Sequence, residues 1–142
     1  YCKTHLHPGE QDFATAGAGD ARCHALNDEF FSLAICADTA HEVHAESAAR
    51  AGASLYLASV LVSEGGYAAD AGLLSSYAAR CGFAVLMANH GGPSGGYASA
   101  GKSAVWAPGG ELIIAAAGSG SQLVIAQKTE QMWSGELIEL RV

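Results

Sequence analysis

The sequence predicts an α/β domain built on a mixed sheet. Continuous apolar runs at residues 30–36, 54–62 and 83–89 read as buried strands, and two segments of helical periodicity separate them. Residues 103–118 then read as strand, Pro-Gly-Gly turn and strand, with further strand-like runs behind them. Buried strands alternating with helices imply helices packed on a sheet, and the late hairpins make that sheet mixed rather than wholly parallel. Both helices and several strand faces are apolar, so a further layer is needed to cover them.

Residues 1–3 read as the end of a strand. Residues 4–20 read as a loop, punctuated by Pro8, Gly9, Gly17 and Gly19. Two apolar runs, 21–26 and 29–36, flank Asn27-Asp28 as in a hairpin. LAIC, at 33–36, is too continuous for a half-exposed strand. Ala40, Val43, Ala48 and Ala51 fall at i, i+3, i+8 and i+11, which predicts one helix face; Ser47 is small enough to share it. Thr39 is the expected N-cap and Gly52 the stop. Residues 54–62 form the next strand and 63–67 a loop. Leu73, Leu74, Tyr77 and Cys81 space a helix over 68–82 that ends at Gly82. A strand at 83–89 leads into a flexible glycine-rich loop at 90–102. After the 103–118 hairpin come strands at 121–128 and 135–140, with QMWS (131–134) less regular between them.

The composition excludes several classes. With 142 residues, half of them hydrophobic and 15% charged, the chain suits one compact soluble domain or part of a larger one. A net charge of −7 without a basic cluster argues against nucleic acid. No apolar run approaches the roughly 18 residues of a membrane span. The first residue is Tyr1, in mid-pattern, so a fragment or processed product is expected. The spacings of Cys2, Cys23, Cys36 and Cys81 match no zinc pattern, and they read as reduced thiols of a cytoplasmic protein.

Three places carry reactive residues. Lys3 is followed across a loop by Glu10. Cys36 closes the LAIC strand where a helix is expected to begin, the position at which a helix dipole favours a thiolate. Asn89 ends the strand at 83–89. His41 and His44, with Glu42 and Glu46, and the pair His5 and His7, could be read as metal ligands. No third ligand is dictated by spacing, and a solvated helix face is the simpler reading; no metal is assigned. GYASAGKS, residues 96–103, has the letters of a phosphate-binding loop. The helix that must follow is replaced by a strand and turn, so nucleotide binding is set aside.

The segment YCKTHLHPGEQDFATAG resembles the lysine motif of the nitrilase superfamily of carbon–nitrogen hydrolases, through Tyr1, Lys3, His5, Leu6, Glu10, Phe13 and Gly17. LAICADTAHEVHAESAARAGASLYLAS resembles that family's nucleophile segment. MANHGG and GKSAVWAPGGELI resemble its later landmarks, in the same order. The resemblance implies part of a four-layer α-β-β-α sandwich, with residues 1–142 as a carbon–nitrogen hydrolase domain lacking its N-terminal portion. It implies Cys36 as nucleophile, Lys3 and the backbone N–H of Ala37 as oxyanion donors, and Glu10 as the carboxylate that positions the lysine. Asn89 is a candidate substrate contact, with a structural turn role the weightier reading. The substrate would be a small amide, carbamoyl compound or nitrile. No cofactor is implied, and a homodimer or higher homo-oligomer is expected.

The family's general-base glutamate lies upstream of its lysine, and no such residue precedes Tyr1. A longer natural chain, a separate N-terminal fragment and an inactive protein all fit. The competing function is a non-catalytic binding or assembly module on the same fold. Two departures bear on substrate subclass: His41, Glu42 and Val43 stand where the family commonly has an aromatic, Pro and Glu, and Tyr77 to Cys81 stand where it often has Arg-Ala-x-Glu-Asn.

Overall fold

A computed structural model describes residues 1–19, 21–130 and 132–140. Asp20, at the end of the expected first loop, and Gln131, within QMWS, lie outside the described residues. Among the described residues, ten strands and two α-helices follow one another in the order β1 (Cys23–Leu26), β2 (Glu29–Ile35), α1 (Glu42–Arg50), β3 (Leu55–Val60), α2 (Tyr67–Cys81), β4 (Ala84–Asn89), β5 (Pro93–Ser94), β6 (Tyr97–Ala98), β7 (Ala104–Trp106), β8 (Leu112–Ala115), β9 (Gln122–Thr129) and β10 (Met132–Glu139).

Six strands form one sheet in the order β1-β2-β3-β4-β7-β8. β2, β3 and β4 run parallel, and β1, β7 and β8 are antiparallel to their neighbours. The sheet is mixed, as the sequence predicts. Asn27 takes φ 54° in the β1–β2 turn, a left-handed position that Asn adopts more readily than most residues. Sliding β2, β3 and β4 past each other requires crossovers, and α1 and α2 supply them. Two crossovers of the usual right hand in a sheet that grows in one direction put both helices on the same face.

That face holds the core. Ala34, Tyr56, Ala58, Val60, Val85 and Met87 from the strands meet Ala45, Ala48, Leu74, Tyr77 and Ala78 from the helices, all buried. Tyr56 stacks on Phe83 at 5.2 Å between ring centroids and meets Tyr77 edge-on at 6.5 Å. The alternating residues on the opposite face, Leu33, Leu57 and Leu86, are in register across β2, β3 and β4 and only half buried. The start of β9 reaches the rim of that face, leaving an open groove of about 620 Å³ lined mainly by apolar side chains. The described residues therefore make one helix layer and one sheet layer of a sandwich.

Several expectations need correction. Residues 1–3 are not in a strand. α1 does not start behind Cys36. A 3₁₀ turn, Cys36–Ala40, comes first, then His41 in extended conformation (φ −107°, ψ 106°), and the α-helix begins only at Glu42. Ser47 and Ala48 are buried as expected, with His44 and Ala45 beside them, while Val43 is exposed and Ala40 and Ala51 lie outside the α-helix. Thr39 caps nothing in α1; its hydroxyl donates to the Cys36 carbonyl at 2.8 Å. The 90–102 loop contains the short β5–β6 hairpin, and Met132 to Ser134 belong to β10. α2 lies within one residue of its predicted span at each end and is stopped by Gly82 at φ 73°, which glycine enters at least cost.

Candidate active site

The parallel trio puts three chain segments at one edge. Cys36 follows β2, Leu61 follows β3, and the β5–β6 hairpin follows β4, all at the carboxyl ends where α/β sheets bind ligands. Cys36 has φ 46°, a left-handed conformation that costs a side-chain-bearing residue about 1–3 kcal/mol and persists only where neighbours impose it. Here the neighbours are identifiable. Asp38 Oδ2 accepts the Ile35 N–H at 3.0 Å, folding the turn back on the strand. The Tyr77 hydroxyl of α2 donates to the Thr39 carbonyl at 3.1 Å.

The same aspartate holds the lysine segment. Asp38 is fully buried, and its Oδ1 accepts the N–H groups of Thr4 (3.0 Å) and His5 (2.8 Å) and the Thr4 hydroxyl (2.8 Å). Its Oδ2 accepts the Tyr1 hydroxyl at 2.7 Å. Burial pushes the carboxyl up, but the donors from Ile35, Tyr1, His5 and Thr4 outweigh it and bring it down to about 2. Asp38 therefore remains an anion that ties residues 1–5 to the cysteine turn.

Lys3 Nζ lies 2.5 Å from Glu10 Oε2, and that oxygen also accepts the His7 N–H at 2.6 Å. The bond from Lys3, first, and that from His7 hold the Glu10 carboxyl below the usual range. Gly17 closes the loop, its N–H donating to the Lys3 carbonyl at 2.7 Å.

Glu10 and Cys36 share a cavity of about 210 Å³ with His7, Leu61 and Tyr97. Lys3, through its ion pair with Glu10, stands next to that cavity; Ala37 follows the cysteine in the turn and is half buried. Asn89 lines a different hollow. Its Oδ1 accepts the Val62 N–H (2.8 Å) and its Nδ2 donates to the carbonyls of Val62 (3.1 Å) and Gly101 (2.6 Å), so its amide fastens the segments after β3 and β4. The larger groove on the open sheet face carries neither Cys36 nor Glu10. Sequence reading named His7 only in a possible metal pair and missed Leu61 and Tyr97; an aromatic amid the glycines of 90–102 was the available signal for Tyr97. The His41–His44 pair is also separated: His44 is buried between two tyrosine hydroxyls, while His41 is exposed and stacks on His5 at 3.9 Å. At 96–103, β6 leads to another strand, β7, rather than to a helix, and Lys102 pairs with Glu64.

The carbon-nitrogen hydrolase family profile matches residues 1–134. The chain belongs to the carbon–nitrogen hydrolase family. Among solved structures, the NitN amidase from Nesterenkonia sp. AN1 superposes with a TM-score of 0.73 at 28% identity, over 84% of this chain and 47% of that one. A cysteine-to-alanine mutant of the Nesterenkonia AN1 amidase, from the nitrilase superfamily, gives 0.71 at 28% identity, over 82% and 45%. A glutamate-to-glutamine mutant of that amidase, showing covalent addition of the acetamide moiety of fluoroacetamide at the active site cysteine, gives 0.71 at 27%, over 82% and 45%. This carbon–nitrogen hydrolase chain thus spans just under half the length of the amidases it resembles. No curated protein matches it.

Proposed function

We propose that the chain contributes the nucleophile and the oxyanion-stabilising lysine of a hydrolase acting on the carbon–nitrogen bond of a small amide. The carrying observation is the shared cavity of Cys36 and Glu10, with Lys3 held at the glutamate. The Cys36 sulfur attacks the amide carbon, and the carbonyl oxygen becomes an oxyanion. Lys3 and the Ala37 N–H are the proposed donors to it; losing one such donor typically costs about 3–4 kcal/mol of barrier. Collapse breaks the carbon–nitrogen bond, releases ammonia or an amine and leaves a thioester on Cys36. Water then hydrolyses the thioester to a carboxylic acid and restores the thiol. A carboxylate must take the thiol proton and pass it to the departing nitrogen. Glu10 is engaged with the lysine ammonium, so its part is to position Lys3. Leu61 and Tyr97 favour a short apolar acyl group, and the fluoroacetamide adduct of the neighbouring amidase is consistent with an amide of that size.

The test is alkylation by iodoacetamide near neutral pH, read by peptide mass spectrometry. Cys36 should be modified ahead of Cys2, Cys23 and Cys81, and Lys3→Ala should slow acylation of Cys36 by an activated acetate ester, a step that passes through an oxyanion, about a hundredfold. Uniform labelling of the four thiols, or acylation indifferent to Lys3, favours the non-catalytic module.

A further inference from the structure

Behind the cysteine turn lies a buried chain of side chains that the reaction scheme does not use. His44, on α1, is 2% exposed, and Tyr56, on β3, is fully buried. His44 Nδ1 lies 2.9 Å from the Tyr56 hydroxyl, and Nε2 lies 2.7 Å from the Tyr1 hydroxyl. The Tyr1 hydroxyl lies 2.7 Å from Asp38 Oδ2.

Proton accounting leaves one arrangement. Asp38 is an anion and can only accept, so the single hydroxyl proton of Tyr1 points at it. The Tyr1 oxygen is then an acceptor toward His44, and Nε2 must carry the imidazole proton. A neutral imidazole has one N–H, so Nδ1 is an acceptor and takes the Tyr56 proton. Every bond points the same way: Tyr56 to His44, His44 to Tyr1, Tyr1 to Asp38. Burial, first, and the bond to Asp38 push the Tyr1 phenol up to about 12, so it keeps the proton it donates. Burial likewise pushes Tyr56 up and His44 down, keeping both neutral.

We infer that His44, held as its Nε2–H tautomer between Tyr56 and Tyr1, is a positioning residue that locks the lysine-bearing segment onto the Cys36 turn. The chain joins β3, α1, the N-terminal segment and the 3₁₀ turn. Tyr1 is two residues from Lys3, and Asp38 is two residues from Cys36. A rigid link of this kind fixes where ammonium and sulfur meet, and a displacement of about 1 Å at such a pair costs roughly a hundredfold in rate. The titratable groups facing His44 are Tyr1 and His5 from the N-terminal segment, Asp38 from the turn, His41 just before α1, and Tyr56 from β3 with Tyr77 of α2 behind it. The catalytic consequence rests on Cys36 and Lys3 being the reacting pair; the positioning itself does not.

Long-range ¹H–¹⁵N NMR of the 142-residue chain near neutral pH reads the tautomer. A protonated Nε2 with an unprotonated Nδ1 is expected, and the opposite tautomer or a fast average overturns the inference. Hydrogen exchange reads the lock. In His44→Leu the Thr4 and His5 amides, which donate to Asp38, should exchange about tenfold faster or more. His44→Gln keeps a donor toward Tyr1 and should hold their protection within about twofold. Equal protection in wild type and His44→Leu overturns the inference. Should His44→Leu fail to fold, Tyr1→Phe serves instead: it removes the oxygen that obliges Nε2 to carry the proton and should release the tautomer, while an unchanged tautomer counts against the chain. Cys36 alkylation separates the two readings. With the lock verified, slowing in His44→Leu but not His44→Gln supports both. A wild-type Cys36 no more reactive than Cys2 removes the hydrolase reading and leaves the positioning standing.

Discussion

Asp38 meets donors from three directions, and that makes its charge a structural requirement. The buried carboxylate accepts from Ile35 on its own turn, from Tyr1, and from Thr4 and His5. Its carboxyl is brought to about 2 in the folded chain against an ordinary value of 3.8. Folding is therefore favoured by the ionised form. The contribution is complete above about pH 4 and is lost as the pH falls from there through about 2, with a size of about 2 kcal/mol. Denaturant midpoints measured from pH 5 to pH 2 should fall for the native chain, and Asp38→Asn should be less stable at pH 5 and flatter across the window. His44 adds an earlier step of the same sign. Burial, chiefly, holds its imidazole below 6.5, so the unfolded chain takes up the proton first and stability declines as the pH drops below 6.5. His44→Gln should remove that upper step and leave the lower one, and a midpoint that does not change between pH 7 and pH 5 would contradict the buried neutral imidazole.

At the scale of elements, Gly17 shows how a loop is made to deliver a side chain. Its N–H donates to the Lys3 carbonyl, and a Cβ placed there would sit 2.7 Å from the Cys2 carbonyl oxygen. The constraint is contact, not unusual torsion. Gly17→Ala should push residues 4–17 off the Lys3 segment, lower stability by about 1–3 kcal/mol and slow Cys36 alkylation; a variant that matches wild type in both would show the loop to be loosely held. Lys3, Glu10, Gly17 and Cys36 were legible because a motif constrains them together, and β2, β3, α2 and β4 were legible because long apolar patterns leave little choice of period. Ser47 and Ala48 of α1 were legible from the period, but its start was not: His41 separates Ala40 from the helix, and a backbone break leaves no mark in side-chain periodicity. The strand expected at 1–3 failed for a related reason: its polar groups go to partners too remote in sequence to be read from the local pattern, the Tyr1 hydroxyl to Asp38 and the Lys3 carbonyl to the Gly17 N–H. Tyr56 and His44 were legible only as buried-strand and helix residues, since their pairing depends on how α1 lies across β3.

The whole molecule has an asymmetry that no single residue shows. The sheet's helix-covered face is closed by a dense core, whereas Leu33, Leu57 and Leu86 stand in a half-buried row on the other side, with Ile35 more exposed at its end. The groove along that row, about 620 Å³, is walled by Leu123 and Val124 at one margin and has little polar lining to hold water. Contiguous apolar surface of this kind is costly in water and marks a contact face. The cysteine site lies at the edge of the same sheet, so whatever covers the face also borders the site. The 142-residue chain should therefore associate through this face at micromolar concentration and bind a hydrophobic dye when dilute. Leu57→Glu places a charge at the centre of the row without touching the helix-side core, and it should shift sedimentation toward monomer and reduce dye binding while leaving far-ultraviolet circular dichroism unchanged. A wild-type chain that sediments as a monomer at every concentration and binds no dye would show that this face is at ease in water, and the two-layer account of the fold would then be incomplete.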